Sequence, residues 1–418
     1  MGLKLLILLA LLCDFGASKE NETPKFASSR KFFEKKHCGE IHPDKETACI
    51  FNYDNVLRST IGFFPTHCSV VCADLFIGKD CDLTEEELAL AFKNMKRLIG
   101  GLTISGTNYT SAKFLAGLES IDTGSEQNIL FEDNSEMIEI GLTNLTSIIT
   151  DGWLISSSPK MKTLNLPNLK YTTPAESEYT HVELWIEKME PNFCITFDEM
   201  EQFLNIRKAD LTNIAANYCE PTPEDDICTK PAKGCTRILG DVEIGPDSDL
   251  NAMKSVEAIF GTLTIKNTSI ESLNFLESLK YVAPLGTGSG FKRFPALHGK
   301  KAVIIMNNPY LSNYTFPSLK KIRSEALHQI VFEHNRYMTP EQCIRMEDSL
   351  YMSRGPTVDG NTCVLLKVQS LKIVEQSQMI FLVASIVICL MLLLGIGTGI
   401  FARWCIRNDN EYQQFDKY

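Results

Sequence analysis

Positive charge is in short supply: 41 lysines and arginines stand against 52 aspartates and glutamates in 418 residues, a formal net charge of −11. A surplus of that sign argues against nucleic acid and against docking on anionic lipid, and mildly favours cationic partners. Catalytic signatures are missing too, since neither His-Glu-x-x-His nor Gly-x-Ser-x-Gly occurs. Gly286-Thr-Gly-Ser-Gly290 has the glycines of a phosphate-cradling loop but lacks the following Lys-Ser/Thr, so it reads as a flexible connector. The chain is not expected to be an enzyme.

Long apolar runs are also scarce, and the two that occur lie near the ends. Residues 1 to 18 place Lys4 before Leu5 to Leu12 and reach Gly16-Ala17-Ser18, the layout of a cleavable secretory signal. Met379 to Ala402 carries no charge over 24 residues, and about 20 apolar residues suffice for a helix to cross a bilayer. Arg403, Trp404 and Arg407 follow it, whereas Glu375 and Gln376 precede it. The positive-inside rule then places the carboxyl end in the cytosol, giving a single-pass type I protein of the plasma membrane. Residues 403–418 form a tail too short for a core, so no kinase is expected inside. Tyr412 and Tyr418 read as part of a solvated stub, and Cys405 is open to palmitoylation. Gly395 and Gly399 form a Gly-x-x-x-Gly face on which the span can form a homodimer.

Of 14 cysteines, Cys13 leaves with the signal, Cys389 lies in the span and Cys405 faces the cytosol, so 11 remain in an oxidising compartment. Most of these are expected in disulfides. His37, Cys38, His42 and Cys49 imitate a metal site with loose spacing, and read instead as disulfide cysteines beside surface histidines. No metal or cofactor is expected. Sequons at Asn21, Asn108, Asn144, Asn267 and Asn313 all fall between signal and span, where lumenal glycosylation requires them.

What the chain does have is an internal duplication. Leu102-Thr103-Ile104, Phe114-Leu115 and Leu118 return 161 residues later as Leu263-Thr264-Ile265, Phe275-Leu276 and Leu279, and residues 98–121 and 259–282 are identical at 9 of 24 positions. Asn134, Leu145 and Ile148 match Asn308, Leu319 and Ile322 at an offset of 174. Within each half, three-residue apolar segments recur every 21 to 40 residues, from Leu75-Phe76-Ile77 to Leu184-Trp185-Ile186 and from Val242-Glu243-Ile244 to Ile330-Val331-Phe332. They are too short for buried helices, and several alternate like strands with one face inward. Leu-rich connectors such as Phe114 to Leu118 and Leu166 to Leu169 turn back into the same interior. One strand and one return per period describe stacked coils with a parallel sheet. Asn134 and Asn308 fall at the corners, where asparagine satisfies the backbone of a tight turn.

Cys68 to Ile77 and Cys235 to Ile244, at an offset of 167, together with Pro191-Asn-Phe-Cys194 before Cys219 and Pro340-Glu-Gln-Cys343 before Cys363, resemble the receptor L domain of insulin and epidermal growth factor receptors. Two such domains, a span and a short tail look most like the kinase-less L-domain proteins expanded in nematodes. The resemblance implies a mainly β fold with short helices: two tandem right-handed β-helix, leucine-rich-like solenoids at 19–219 and 235–363. A linker at 220–234, a stalk at 364–378 and a span at 379–402 complete the chain. It also implies Cys194–Cys219 and Cys343–Cys363 disulfides, with Cys68 paired to Cys38 or Cys49 and Cys235 to Cys228 or another neighbour. Cys72 is either a buried thiol or the partner of Cys81, and one of the 11 is left over. In the family, hormones dock on the exposed face of the first domain's parallel sheet, which strand alternation carries here to Phe76, Thr103, Ser105, Leu130 and Glu132.

The chain departs from the receptors in lacking their long cysteine-rich module between L domains, as well as fibronectin-like modules and a kinase. Only the proline- and acid-bearing stretch Glu220 to Gly234 intervenes, so the two halves are expected to lie close together without a wide hormone-embracing cleft. The expected function is receptor-like binding of a secreted insulin- or growth-factor-like peptide, or of another receptor ectodomain, as co-receptor or decoy. The alternative is an adhesive or self-associating surface protein.

Overall fold

The computed structural model describes residues 49–124, 128–175, 181–206, 208–286, 299–350 and 355–415, with side chains to residue 405. The signal segment, Asn21, His37, Cys38, His42 and residues 287–290 of the glycine-rich connector lie outside them. Within the described residues the chain is mainly β with few helices, divided into two regions of like build.

In the first region the chain lays one short strand in a back sheet, turns, and lays the next in a front sheet. The back sheet runs Ile50–Phe51, Val70–Ala73, Arg97–Ile99, Ser120–Asp122, Ser147–Ile149 and Tyr171–Thr173. The front sheet runs Leu75–Ile77, Leu102–Ser105, Ile129–Glu132, Gly152–Ser156, Val182–Glu187 and Ala209–Asp210. Every pairing in both is parallel, each strand joining the one a coil away. The second region repeats this with Val242–Ile244, Leu263–Lys266, Val303–Met306 and Ile330–Glu333 in front. An antiparallel hairpin of Thr357–Val358 and Asn361–Thr362 closes that sheet. Its two turn residues, Asp359 and Gly360, both have positive φ, the backbone that two-residue hairpin turns require.

Duplicated residues do duplicated work at the corners. A Cβ on Gly100 would lie 2.0 Å from the Ala73 carbonyl oxygen, and one on its repeat partner Gly261 would lie 2.1 Å from that of Gly240. Only glycine lets successive coils stack so closely there. At the far end of the front strands, Asn134 and Asn308 are fully buried. Asn134 Oδ1 accepts from the backbone N–H and hydroxyl of Thr107 and its amide donates to the Ile104 carbonyl. Asn308 does the same with Thr268 and Ile265. Each asparagine thus stitches two coils together by satisfying backbone groups that would otherwise be buried without partners.

The interior between the sheets is filled by the inward half of every strand plus the connectors, with Phe114, Leu115 and Leu118 matched by Phe275, Leu276 and Leu279. Three short helices, Glu85–Phe92, Phe197–Asn205 and Pro340–Ser349, begin at capping boxes, Thr84 with Glu87, Thr196 with Glu199 and Thr339 with Gln342. In each, threonine and the residue three positions on exchange backbone hydrogen bonds that the first helical turn cannot make for itself.

Cysteine pairing follows this frame: Cys49–Cys68, Cys194–Cys219, Cys228–Cys235 and Cys343–Cys363 are bonded. Cys72 is also disulfide-bonded whereas Cys81 keeps a free thiol, so both expectations for Cys72, a buried thiol and the partner of Cys81, are corrected. Cys72 lies with Ile99 in a small cluster apart from the main core, while Cys81 packs against the main core beyond the front sheet. The two sulfurs are on opposite sides of the coil.

The regions meet through side chains that cross from one to the other. Phe197 and Tyr218 of the first stack with ring centroids 5.5 Å apart, and Phe260 of the second sits 5.0 Å from each. The Tyr218 hydroxyl donates to the Ala283 carbonyl at 2.6 Å. Arg237 bridges Asp198 and Glu201 at 2.7 and 2.8 Å. Arg323 is buried and donates to the carbonyls of Leu211, Thr212, Ile214 and Pro284, while Lys321 donates to the Ile206 carbonyl at 2.7 Å. The expected linker is itself built in, since Ile227–Cys228 pairs with Arg237–Leu239 of the second back sheet.

From Cys363 a single helix continues to Phe415. Residues 364–378, expected as a stalk, are its first turns, and its apolar stretch is long enough to cross a membrane. The Cys343–Cys363 bond fastens the start of this helix to the second region.

Burial pushes the Lys321 ammonium down to about 8, with Asp210 acting in the opposite sense. Below that pH both folded and unfolded chains hold the proton and folding carries the full desolvation cost. Between pH 8 and 10.5 the folded chain releases a proton that the unfolded chain retains, so stability rises with pH, by about 3 kcal/mol at most. Urea titrations of the full chain in detergent from pH 7.5 to 10 should show this rise, and Lys321→Met should remove it; parallel curves for the two proteins contradict the assignment.

Candidate ligand-binding face

Strand alternation in the first front sheet sends Leu75, Ile77, Leu102, Ile104, Ile129, Phe131, Trp153, Ile155, Leu184 and Ile186 into the core. The residues between them point out, and the parallel register sets them in rungs. Phe76 pairs with Thr103, Thr103 with Leu130, Leu130 with Leu154 and Leu154 with Trp185. At about 4.8 Å per strand this rung spans roughly 19 Å. It is an apolar strip with one threonine in it, and Phe76 is 39% exposed.

The next rung is polar: Ser105, Glu132, Ser156 and Glu187 lie side by side. Ser156 donates to Glu132 at 3.5 Å. The Glu187 carboxyl is pushed up by burial, and the charge of Glu132 adds to the shift against the pull of Lys188. On the strip's other side Glu183 stands opposite Gly152, with the His181 ring 3.3 Å away. An apolar strip between carboxylates suits a partner that presents apolar side chains and positive charge together. Covering one such side chain fully contributes roughly 1.5–3 kcal/mol, and tryptophan is a residue on which binding energy concentrates.

All five residues expected on this face point outward, Phe76, Thr103 and Leu130 in the apolar rung and Ser105 and Glu132 in the polar one. Leu154 and Trp185 were missed. The signal was present, because Trp153-Leu154-Ile155 and Leu184-Trp185-Ile186 are recognisable strands and their middle residues alternate outward by the rule that placed Phe76.

The second front sheet is less apolar, with an open cavity of about 680 Å³ over Glu243, Thr264 and Ile304. Its rung of Glu243, Thr264, Ile304 and Val331 contains a buried valine, and Lys266 in the next rung pairs with Glu243 at 2.9 Å. Cys49, His67 and Cys68 come together as a metal site would require, but the two sulfurs are bonded to each other. Asn108, Asn144, Asn267 and Asn313 are exposed, and Gly395 and Gly399 have open space where a Cβ would stand.

Stacked parallel coils leave the front sheet uncovered, and a helix long and apolar enough to cross a membrane follows them. The receptor L domain model matches residues 67–168 and 234–350, together more than half of the sequence, and the chain belongs to the receptor L-domain family. It is 22% identical over 224 residues to Protein irld-34 of Caenorhabditis elegans, a match covering 50% of this chain and 52% of that protein. It is 26% identical over 162 residues to a Hydra vulgaris protein named "Putative insulin-like peptide receptor", covering 37% of this chain and 10% of that one. The chain therefore spans about half the length of one relative and a tenth of the other.

Trp185 is partly exposed whereas Trp153 is buried against Phe203. In a Trp404→Phe background, which removes the exposed tryptophan of the long helix, acrylamide should quench the fluorescence of Trp185 more than that of Trp153, and Trp185→Phe should remove the readily quenched component. Unchanged quenching in that variant contradicts the outward placement.

Proposed function

We propose that this chain is a type I cell-surface glycoprotein whose first L domain binds a secreted peptide of the insulin or growth-factor kind. The apolar rung from Phe76 to Trp185, uncovered and flanked by carboxylates, is the observation that carries the reading. The name of the Hydra relative supports the ligand class. In this reading residues 19–219 and 235–363 are tandem right-handed solenoids about the 220–234 segment, and 364–378 is a helical stalk. The helix crosses the plasma membrane over 379–402 and leaves 403–418 in the cytosol. Glycans occupy Asn21, Asn108, Asn144, Asn267 and Asn313. The protein acts as a co-receptor or decoy with no catalytic step of its own, and two copies associate through Gly395 and Gly399.

A second reading, self-association or adhesion, draws on the exposed apolar residues Val364, Val368 and Leu371 on the helix just before the span. One experiment tests the first of these. The full chain in nanodiscs is titrated with a panel of insulin-like and growth-factor-like peptides and followed by tryptophan fluorescence. At least one peptide should bind saturably, and Leu154→Asp, which places a charge mid-rung without touching the core, should weaken it by about ten-fold, roughly 1.4 kcal/mol. Silence across the panel, or binding indifferent to Leu154→Asp, rejects the peptide reading.

A further inference from the structure

A cavity of about 330 Å³ opens at the edge of the front sheet where the apolar rung begins. Phe76 and Leu57 line it with apolar surface, and Asp80 and Asp133 bring two carboxylates to it. Among the described residues neither carboxylate takes part in an ion pair or a side-chain hydrogen bond, in contrast to neighbouring Asp82, which accepts from the Arg58 backbone N–H at 2.7 Å. Lys79 is the one cation in the lining, so the site keeps a net negative charge. Glu132 extends the same sign into the adjoining rung.

An aromatic face combined with unpaired carboxylates is the environment that holds an alkylammonium or guanidinium group. The ring attracts the cation through its quadrupole, and the carboxylates accept its N–H donors. A cavity of this volume is at the lower end of those that enclose a small ligand, enough for one long side chain.

We propose that this cavity binds a basic side chain of the ligand, arginine above all, placed beside the apolar residue that lies on the Phe76 to Trp185 rung. The proposal rests on the front sheet being the docking face and adds the charge of what docks there.

The probe is acetyl-arginine amide, compared with acetyl-citrulline amide, which has nearly the same shape without the charge. Saturation-transfer NMR on the full chain in nanodiscs should show saturable binding of the arginine amide at least five-fold tighter than the citrulline amide. Asp80→Asn and Asp133→Asn should each reduce that preference, and together abolish it. Both variants keep the fold, because Asp80 is exposed and the left-handed backbone of Asp133, with φ of 56°, suits asparagine equally well. Equal affinity for the two amides, or a preference that survives the double substitution, overturns the proposal. Leu154→Asp keeps the outcomes apart. Arginine amide still bound while every peptide fails leaves the cavity standing without the peptide reading, and the reverse removes the cavity alone.

Discussion

The arrangement of the two L-domain regions depends on a buried cation whose hydrogen-bond partners are carbonyl dipoles. Arg323 reaches from the second region into the last coil of the first and donates to the backbone oxygens of Leu211, Thr212 and Ile214 there and of Pro284 on its own side. An arginine taken out of water is tolerable only when its planar fork is fully engaged. Leaving this one unbound would strand both the charge and the carbonyls, so the low-energy state is the one in which the regions are docked. Lys321 adds a second donor, and Phe197, Tyr218 and Phe260 close an apolar seam beside them.

A docked pair bears on how a ligand can be recognised. The first front sheet is held by parallel pairing on one side and by buried asparagine and glycine corners at its ends, so its outward rungs are fixed before anything arrives. On the proposed reading, recognition is a matter of complementarity to a preformed strip, with little ordering cost on this chain's side. On that same reading the carboxylates flanking the strip add selection by charge, in keeping with a chain whose net charge is −11. The second front sheet differs in having Val331 buried in its middle rung and Glu243 paired with Lys266.

Much of this was legible from residues alone. The duplication and the three-residue apolar segments disclosed coils, because a strand's alternation is local and survives in sequence. Asn134 and Asn308 were readable as corners for the same reason. Leu154 and Trp185 were equally available and were passed over: the hydrophobic surroundings of both strands hide which residue faces out unless alternation is applied to each in turn. Other features had no local signal. Arg323 sits in an ordinary Lys-Ile-Arg segment, and its four acceptors are spread from Leu211 to Pro284. The fate of Cys72 and Cys81 turned on which side of a sheet each sulfur lies, and the cavity at Asp80 and Asp133 joins residues from three coils. Only assembly in space makes these visible.

The docked arrangement is tested most directly by a distance across it. Spin labels carried on non-cysteine side chains at the exposed positions Leu90 and Lys254, one in each region, can be measured by double electron–electron resonance on the full chain in nanodiscs. The account predicts one narrow distance distribution in the native protein and a broad one in Arg323→Met. A broad or two-peaked distribution in the native protein would contradict it.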